Sequence, residues 1–420
     1  MYHKTTLDNG LRIITTTMPH THSVSICIFI GVGSRYETEP EAGTSHFIEH
    51  LCFKGTSKRP TARKISEAIE GVGGIVNGGT DKELTLYWCK VAQPHFPLAL
   101  DVLADMLLHS RFDPKDIESE RKIIIEEINM GRDSPPQLVD MLIDELLWPG
   151  HPLGRDIAGS KQSVADITRE TMLDYLAHQY LPGNTVVAIA GAVQHQEMVA
   201  AAGQALGNWA NLKPRPGYLA YKEQQFPRLH IETKDTEQAH LCLALTGLSL
   251  LHPKRFILDL LNVILGEGMS SRLFTEIRDR LGLAYSIHSF IDHFLDTGSI
   301  TIYAGVEPKN LQVAITAILE QLSRLKEIVP EAELTKAKEL SKGRLLLRME
   351  DSRSVAGWAG GQQVLTGQIL SVDQVMSIID AITAEELRQL AHELLLSSQL
   401  RLAVVGPVAE DKRLDELLKL

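Results

Sequence analysis

Cysteine is scarce and unpatterned. Cys27, Cys52, Cys89 and Cys242 stand inside apolar runs with no CxxC spacing, which excludes a disulfide framework or a thiolate zinc site. They read as buried, reduced thiols. Long apolar runs are also missing: "SVSICIFIGVG" breaks off well before the ~18 residues of a membrane helix, so no membrane span is expected. The opening "MYHKTTLDNGLRIITTTMPH" has neither a basic n-region followed by an apolar h-region nor an Arg-rich transit composition, and a cytoplasmic chain is the expectation. No low-complexity tract or sustained heptad appears. A basic surplus is lacking too: the net charge of −11 argues against a nucleic-acid partner and permits basic ligands.

What is present suits ordinary globular folding. Hydrophobic residues make up 44% and charged residues 23%, and 420 residues exceed what one core usually fills, so two domains are expected. Residues 5–35 read as a strand pair, "GLRIITTTMP" and "HSVSICIFIGVGS". A helix follows through "GTSHFIEHLCF", with Thr44 or Ser45 as caps. Then come a helix at "TARKISEAIEGVG", a strand pair at "GGIVNGGTDKELTLYWCKV", a helix at "HFPLALDVLADMLLH", and a longer one through "DPKDIESERKIIIEEINMGR". A further helix after "DSPPQ" and a buried strand at "NTVVAIAGAV" complete the first half. Residues 211–228 gather prolines and polar residues and read as a linker.

The second half repeats this order. "AHLCLALTGLS" parallels "HSVSICIFIGVGS", and "VPEAELTKAKELSKGRLLLRMEDS" parallels "FDPKDIESERKIIIEEINMGRDS". The organisation expected is therefore a duplication: α+β domains over 1–210 and 229–420, each a mostly antiparallel sheet packed with helices. Only the first copy carries a histidine pair. The place of Glu127 falls at or beside Arg344 and Leu345 in the second.

The chemistry concentrates in "GTSHFIEHLCFKGT". Residues four apart lie on one helical face, so His46 and His50 can converge on one ion, with Glu49 placed to take a proton without ligating. An amphipathic helix that happens to carry two histidines is the competing reading. A catalytic zinc needs a third protein ligand. The best source is "ESERKIIIEEI", where Glu120 and Glu127 lie two turns apart on one face beside Ile123 and Ile124. Carboxylates on a core-facing surface are costly without a partner such as a metal, although a glutamate-rich helix is more often a solvated face.

"HFIEHLCFKGT", "ESERKIIIEEI" and "GEGMSSRLFTEIRDRLGLAYS", in this order, resemble the pitrilysin, or inverzincin, metallopeptidases, which include insulin-degrading enzyme and mitochondrial processing peptidase. The resemblance spans nearly the whole chain. It implies that His46, His50 and Glu127 bind one Zn2+ per chain, that Glu49 is the general base, and that Glu120 supports the site. It implies that Arg278 and Tyr285 bind substrate and stabilise the oxyanion in the half opposite the zinc. Read without the resemblance, these two are a surface helix residue and a core strand aromatic.

The resemblance further implies that "GGIVNGGTDKELTLYW" holds an extended peptide at a sheet edge, with Asn77 as a contact. Its glycines read equally well as an ordinary hairpin. "GEGMSSR" is no phosphate loop, lacking the Lys-Ser/Thr ending. One chain corresponds to half of a peptide-enclosing chamber, so a homodimer is implied, with Arg278 and Tyr285 completing the partner's site. The activity expected is endopeptidase cleavage of short or unfolded peptides. The alternatives are a noncatalytic scaffold or partner subunit of the same family, and the catalytic subunit of a heterodimeric processing peptidase.

Overall fold

A computed structural model describes residues 2–215, 217–222, 227–409 and 413–420. In chain order the elements are β1 (Tyr2–Thr6), β2 (Arg12–Thr17), β3 (Ser23–Ile30), α1 (Thr44–Cys52), α2 (Ala62–Glu70), β4 (Ile75–Thr80), β5 (Thr85–Ala92), α3 (Phe96–His109) and α4 (Pro114–Asp133). Next are α5 (Pro135–Leu147), α6 (Lys161–Asp166), α7 (Arg169–Gln179), β6 (Thr185–Gly191), α8 (His195–Leu206), β7 (Leu229–Thr233), β8 (Ala239–Thr246) and α9 (Arg255–Gly266). The chain ends with β9 (Ala284–His293), β10 (Gly298–Val306), α10 (Leu311–Arg324), α11 (Glu331–Arg348), α12 (Ser352–Thr366), α13 (Val372–Ala381), α14 (Ala384–Leu394), β11 (Arg401–Gly406) and α15 (Arg413–Leu417).

These elements form two sheet-plus-helix units. The strand orders are β1-β2-β6-β3-β5-β4 and β7-β11-β8-β10-β9. Matching them from the β4 and β9 edges pairs β4 with β9, β5 with β10, β3 with β8, β6 with β11 and β2 with β7. In both sheets the same neighbours run parallel, β2 with β6 and β7 with β11, and the other pairs are antiparallel. The duplication read from short segments is thus carried by the whole topology, with β1 as an addition to the first copy.

β2 and β3 do not pair with each other as the sequence suggested. β6 lies between them, parallel to β2 and antiparallel to β3, and the Asn9-Gly10 turn joins β2 instead to β1. The local turn signals were read correctly; the intervening strand comes from more than 150 residues downstream.

The units are not continuous in sequence. The first takes residues 2–128, 155–219 and 346–371, and the second 129–154, 220–345 and 372–420, counting described residues. Relative to a division at 1–210 and 229–420, α5 belongs with the second sheet and α12 with the first. Each covers one face of its sheet. α12 lays Val355, Ala356 and Ala359 against Cys27, Phe29, Val186 and Ala188. α5 lays Val139, Leu142 and Ile143 against Cys242, Ala244, Ala403 and Val405. With both faces covered, β3 is apolar on successive residues, which is why "SICIFI" shows no alternation. Its other face, through Val24, Ile26, Ile28 and Ile30, shares a core with α1, α3 and α4. Gly360 lets α12 approach closely: a Cβ there would lie 2.8 Å from that of Ala188 and closer still to the Phe29 ring.

The expected linker holds no helix or strand at 211–215, 217–222 and 227–228, and its remaining residues lie outside the described ones. All four cysteines are buried and unpaired, as read. Among the described residues no helix is long and apolar enough to cross a membrane.

Candidate metal centre

The centre is built in the first unit from α1, α4 and β4. α1 buries Phe47, Ile48 and Leu51 and packs beside β4, while His46 and His50 leave the apolar stripe together. Its cap differs from expectation. Thr44 and Ser45 are buried inside the first turn, Gly43 takes the cap position at φ 96°, and no side chain of the helix caps it. Instead, the carboxylate of Glu37 accepts the Gly43 amide at 2.8 Å and the Ser45 amide at 2.7 Å. That acceptor comes from outside the helix, which is why local capping rules missed it.

On α4 the buried stripe is Ile117, Glu120, Ile124 and Ile128. Asp113 opens the helix by accepting the Lys115 amide at 2.9 Å. Glu120 is 3% exposed, the Glu127 side chain stands at the edge of the stripe at 42%, and Ile123, read as core-facing, is exposed. Seven residues apart on one helix, the two acids thus differ in depth, one buried and one accessible.

The sequence-derived ligands converge. One oxygen of Glu127 is 3.9 Å from His46 Nε2 and 3.7 Å from His50 Nε2, and the three ligand atoms lie within 4.8 Å of one another. Tetrahedral zinc with bonds of ~2.0–2.2 Å would place its ligands about 3.4 Å apart, so modest closure suffices. Two imidazoles and one carboxylate from two helices also match the donor chemistry of a catalytic zinc, with a position left for water. The residues present fit the ion.

The surroundings prepare these groups unequally. Burial, with the neighbouring His50, pushes His46 down to about 4, so its ring is neutral and able to ligate. Burial acts the same way on His50, but the Glu120 hydrogen bond and the nearby acids outweigh it and raise the pKa. Glu120 Oε2 lies 3.1 Å from His50 Nδ1 and its Oε1 lies 2.6 Å from the Lys54 amine. Burial opposes ionisation of Glu120, yet these two partners hold its pKa below the usual value. His46 Nδ1 is buried with no hydrogen-bond partner among the described residues.

Glu49 is held apart from the ligands. Burial raises its pKa against the opposing effects of His50 and Thr80, whose hydroxyl donates to Glu49 Oε2 at 3.1 Å. A Cβ on Gly78 would stand 3.1 Å from Glu49 Oε1 and 3.0 Å from the Phe53 ring, so the bare glycine keeps space open beside the other oxygen. Strand alternation explains the choice of residues: Gly78 and Thr80 turn toward α1, and Asn77 turns away. Asn77 is exposed and its side-chain oxygen accepts the Gly78 amide at 2.8 Å. Thr80 and Lys54 are the neighbours that sequence reasoning missed. A strand period applied from Gly78 would have flagged Thr80; nothing local flags Lys54. β4 ends its sheet, so among the described residues its outer backbone edge has no strand neighbour.

Arg278 and Tyr285 lie in the second unit. Arg278 sits on a π-helix, Phe274–Arg280, with its guanidinium 4.7 Å from the Phe274 ring and 4.9 Å from the Tyr285 ring. Tyr285, near the start of edge strand β9, is 76% exposed, unlike the core aromatic of the alternative reading. Arg344, near the counterpart of Glu127, pairs with Glu267 just past α9, so an ion pair stands there in place of a ligand.

Comparison with known proteins agrees with this architecture. Residues 12–161 match the family described as insulinase (peptidase family M16), and residues 166–341 match the peptidase M16 inactive domain. The uncharacterized zinc protease YmxG of Bacillus subtilis is 36% identical over 97% of this chain and 98% of its own length. The uncharacterized zinc protease Rv2782c of Mycobacterium tuberculosis is 37% identical over 99% and 95%. Among solved structures, a protease from Helicobacter pylori aligns with a TM-score of 0.92 at 23% identity, covering 97% of this chain and 99% of that one. A chain of complex III2 from Candida albicans aligns with a TM-score of 0.83 at 19% identity, with 100% of both covered, a likeness of fold. Two family matches in tandem and relatives alike over nearly their full length establish that this chain belongs to peptidase family M16.

Proposed function

We propose that the chain is a zinc-dependent endopeptidase for short or unfolded peptides, binding one ion per chain through His46, His50 and Glu127. The observation that carries this reading is the approach of both Nε2 atoms to a single Glu127 oxygen, with Glu49 beside them but outside the ligand set. When bound, zinc supplies Lewis acidity, which makes water a nucleophile near neutral pH and polarises a scissile carbonyl. Glu49 then acts as the base. Thr80 engages Oε2, Oε1 faces the space left by Gly78, and the raised pKa suits a group that takes a proton from water and returns it to the leaving amine. Glu120 holds His50, and the free edge of β4, with Asn77 on it, receives the peptide backbone.

Arg278 and the exposed Tyr285 hydroxyl supply substrate binding and oxyanion stabilisation to the site of a second copy, in a homodimeric chamber. Four unpaired, buried thiols suit a reducing cytoplasm. The fold shared with a complex III2 chain makes a noncatalytic subunit the competing reading, against which stands a complete set of ligands and base. Metal analysis and one variant test the proposal. Wild-type protein should hold about one zinc per chain, and Glu49→Gln should keep it while turnover of a quenched fluorescent peptide falls by ~10²–10⁴-fold. A Glu49→Gln protein cleaving at near wild-type rate would remove the assignment.

A further inference from the structure

Lys54 has no part in the chemistry above, yet it makes the shortest contact to the acid behind His50. Its amine lies 2.6 Å from Glu120 Oε1, while Glu120 Oε2 lies 3.1 Å from His50 Nδ1. Glu120 is 3% exposed and Lys54 reaches it with a side chain 30% exposed. A carboxylate so deeply buried is costly unless each oxygen is engaged and its charge balanced. His50 engages one oxygen, and an imidazole that offers the Nε2 lone pair to an ion contributes no charge. The balancing cation is Lys54.

The geometry continues through the ring. With Nδ1–H donated to Glu120, the lone pair of His50 is on Nε2, the nitrogen 3.7 Å from Glu127. The lysine is also anchored. Its amide donates to Leu51 O at 3.1 Å, closing the last turn of α1, and the next residues are tied down where Thr56 bridges Ser110. Nearby Lys58 shows the contrast: 59% exposed, it pairs with an accessible Asp101, an arrangement with no route to the metal centre.

We infer that Lys54 is a positioning residue of the metal centre: by balancing and orienting Glu120, it sets His50 to present Nε2 to the ion. The inference rests on the reading that His46, His50 and Glu127 bind zinc, and the test separates the two. Zinc affinity is measured by competition with a chromophoric chelator for wild type, Lys54→Met, Lys54→Arg, Glu120→Gln and the Lys54→Met/Glu120→Gln double variant. Folding of each metal-free protein is checked first by circular dichroism. If Lys54→Met does not fold, Lys54→Gln takes its place under the same criteria.

Lys54→Met should bind zinc about 10-fold more weakly, as expected for loss of an outer partner of a ligand. Lys54→Arg should stay within about 3-fold of wild type, and Lys54→Met should add less than about 2-fold in the Glu120→Gln background. Wild-type affinity in Lys54→Met overturns the inference and leaves the zinc reading intact. So does an equal loss with and without Glu120, because Lys54 would then act by another route, or a Lys54→Arg as weak as Lys54→Met. Wild-type protein that takes up no zinc overturns both.

Discussion

Glu37 provides a stringent check of how α1, the helix that carries His46 and His50, is held. It is 3% exposed and receives the Gly43 and Ser45 amides at the start of α1. Burial pushes its pKa up from 4.5 to about 7, against the opposing pull of those amides and of Arg155. The folded protein therefore binds a proton that the unfolded chain releases between pH 4.5 and 7, and stability falls as pH rises through that window. At about 1.4 kcal/mol per tenfold of proton affinity, the ionised carboxylate costs about 3 kcal/mol above pH 7 and well under half of that at pH 5.

Glu37→Gln removes the titration and one of the two acceptors. The lost hydrogen bond, about 1–2 kcal/mol, is the same at every pH and cancels when two pH values are compared. What remains is a swing of about 2–3 kcal/mol in favour of the variant between pH 5 and pH 8. Thermal unfolding of metal-free wild type and variant, both in chelator, should show the gap between their Tm values moving by about 4–8 °C. A constant gap would mean that burial does not penalise this carboxylate. A gap moving the other way would mean that the helix amides hold it ionised throughout.

Thr80→Val should keep zinc and lower turnover by about 5–10-fold, since one hydrogen bond to Glu49 of about 1–1.5 kcal/mol is lost; steady-state kinetics beside metal analysis checks this. Gly360→Ala should destabilise the first unit by about 1–3 kcal/mol in urea unfolding, because the added methyl meets Phe29 and Ala188. Mixing a His46→Ala protein with an Arg278→Ala/Tyr285→Phe protein after dissociation should restore peptidase activity if each site is completed by the partner. Proven heterodimers without activity would place a complete site within one chain.

The candidate metal centre was legible because its signal is local on each side. One helical turn separates His46 from His50, and α4 could be recognised from its period and Asp113-Pro114 entry. What those signals could not convey was depth: Glu120 and Glu127 share a side of α4 in projection, but one lies on the core stripe and the other at its edge. Thr80 shares the face of β4 with Gly78, out of phase with Asn77, and its residue type alone carries no signal of that role. Glu37 and Lys54 act through contacts to backbone amides and a distant carboxylate, for which periodicity carries no information. The strand order failed for the same reason, since only the assembled sheet shows that β6 separates β2 from β3.

The exchange of α5 and α12 has a consequence for synthesis. During translation the first repeat emerges with a helix whose apolar face belongs on a sheet not yet made, while its own sheet waits for α12. The first unit completes its core only once Thr366 has left the ribosome, so its open β3 face must be shielded until nearly the whole chain is available. Cutting the gene at the linker would yield two fragments that each carry the other's missing helix. Such fragments are suited to complementation and poorly suited to independent folding.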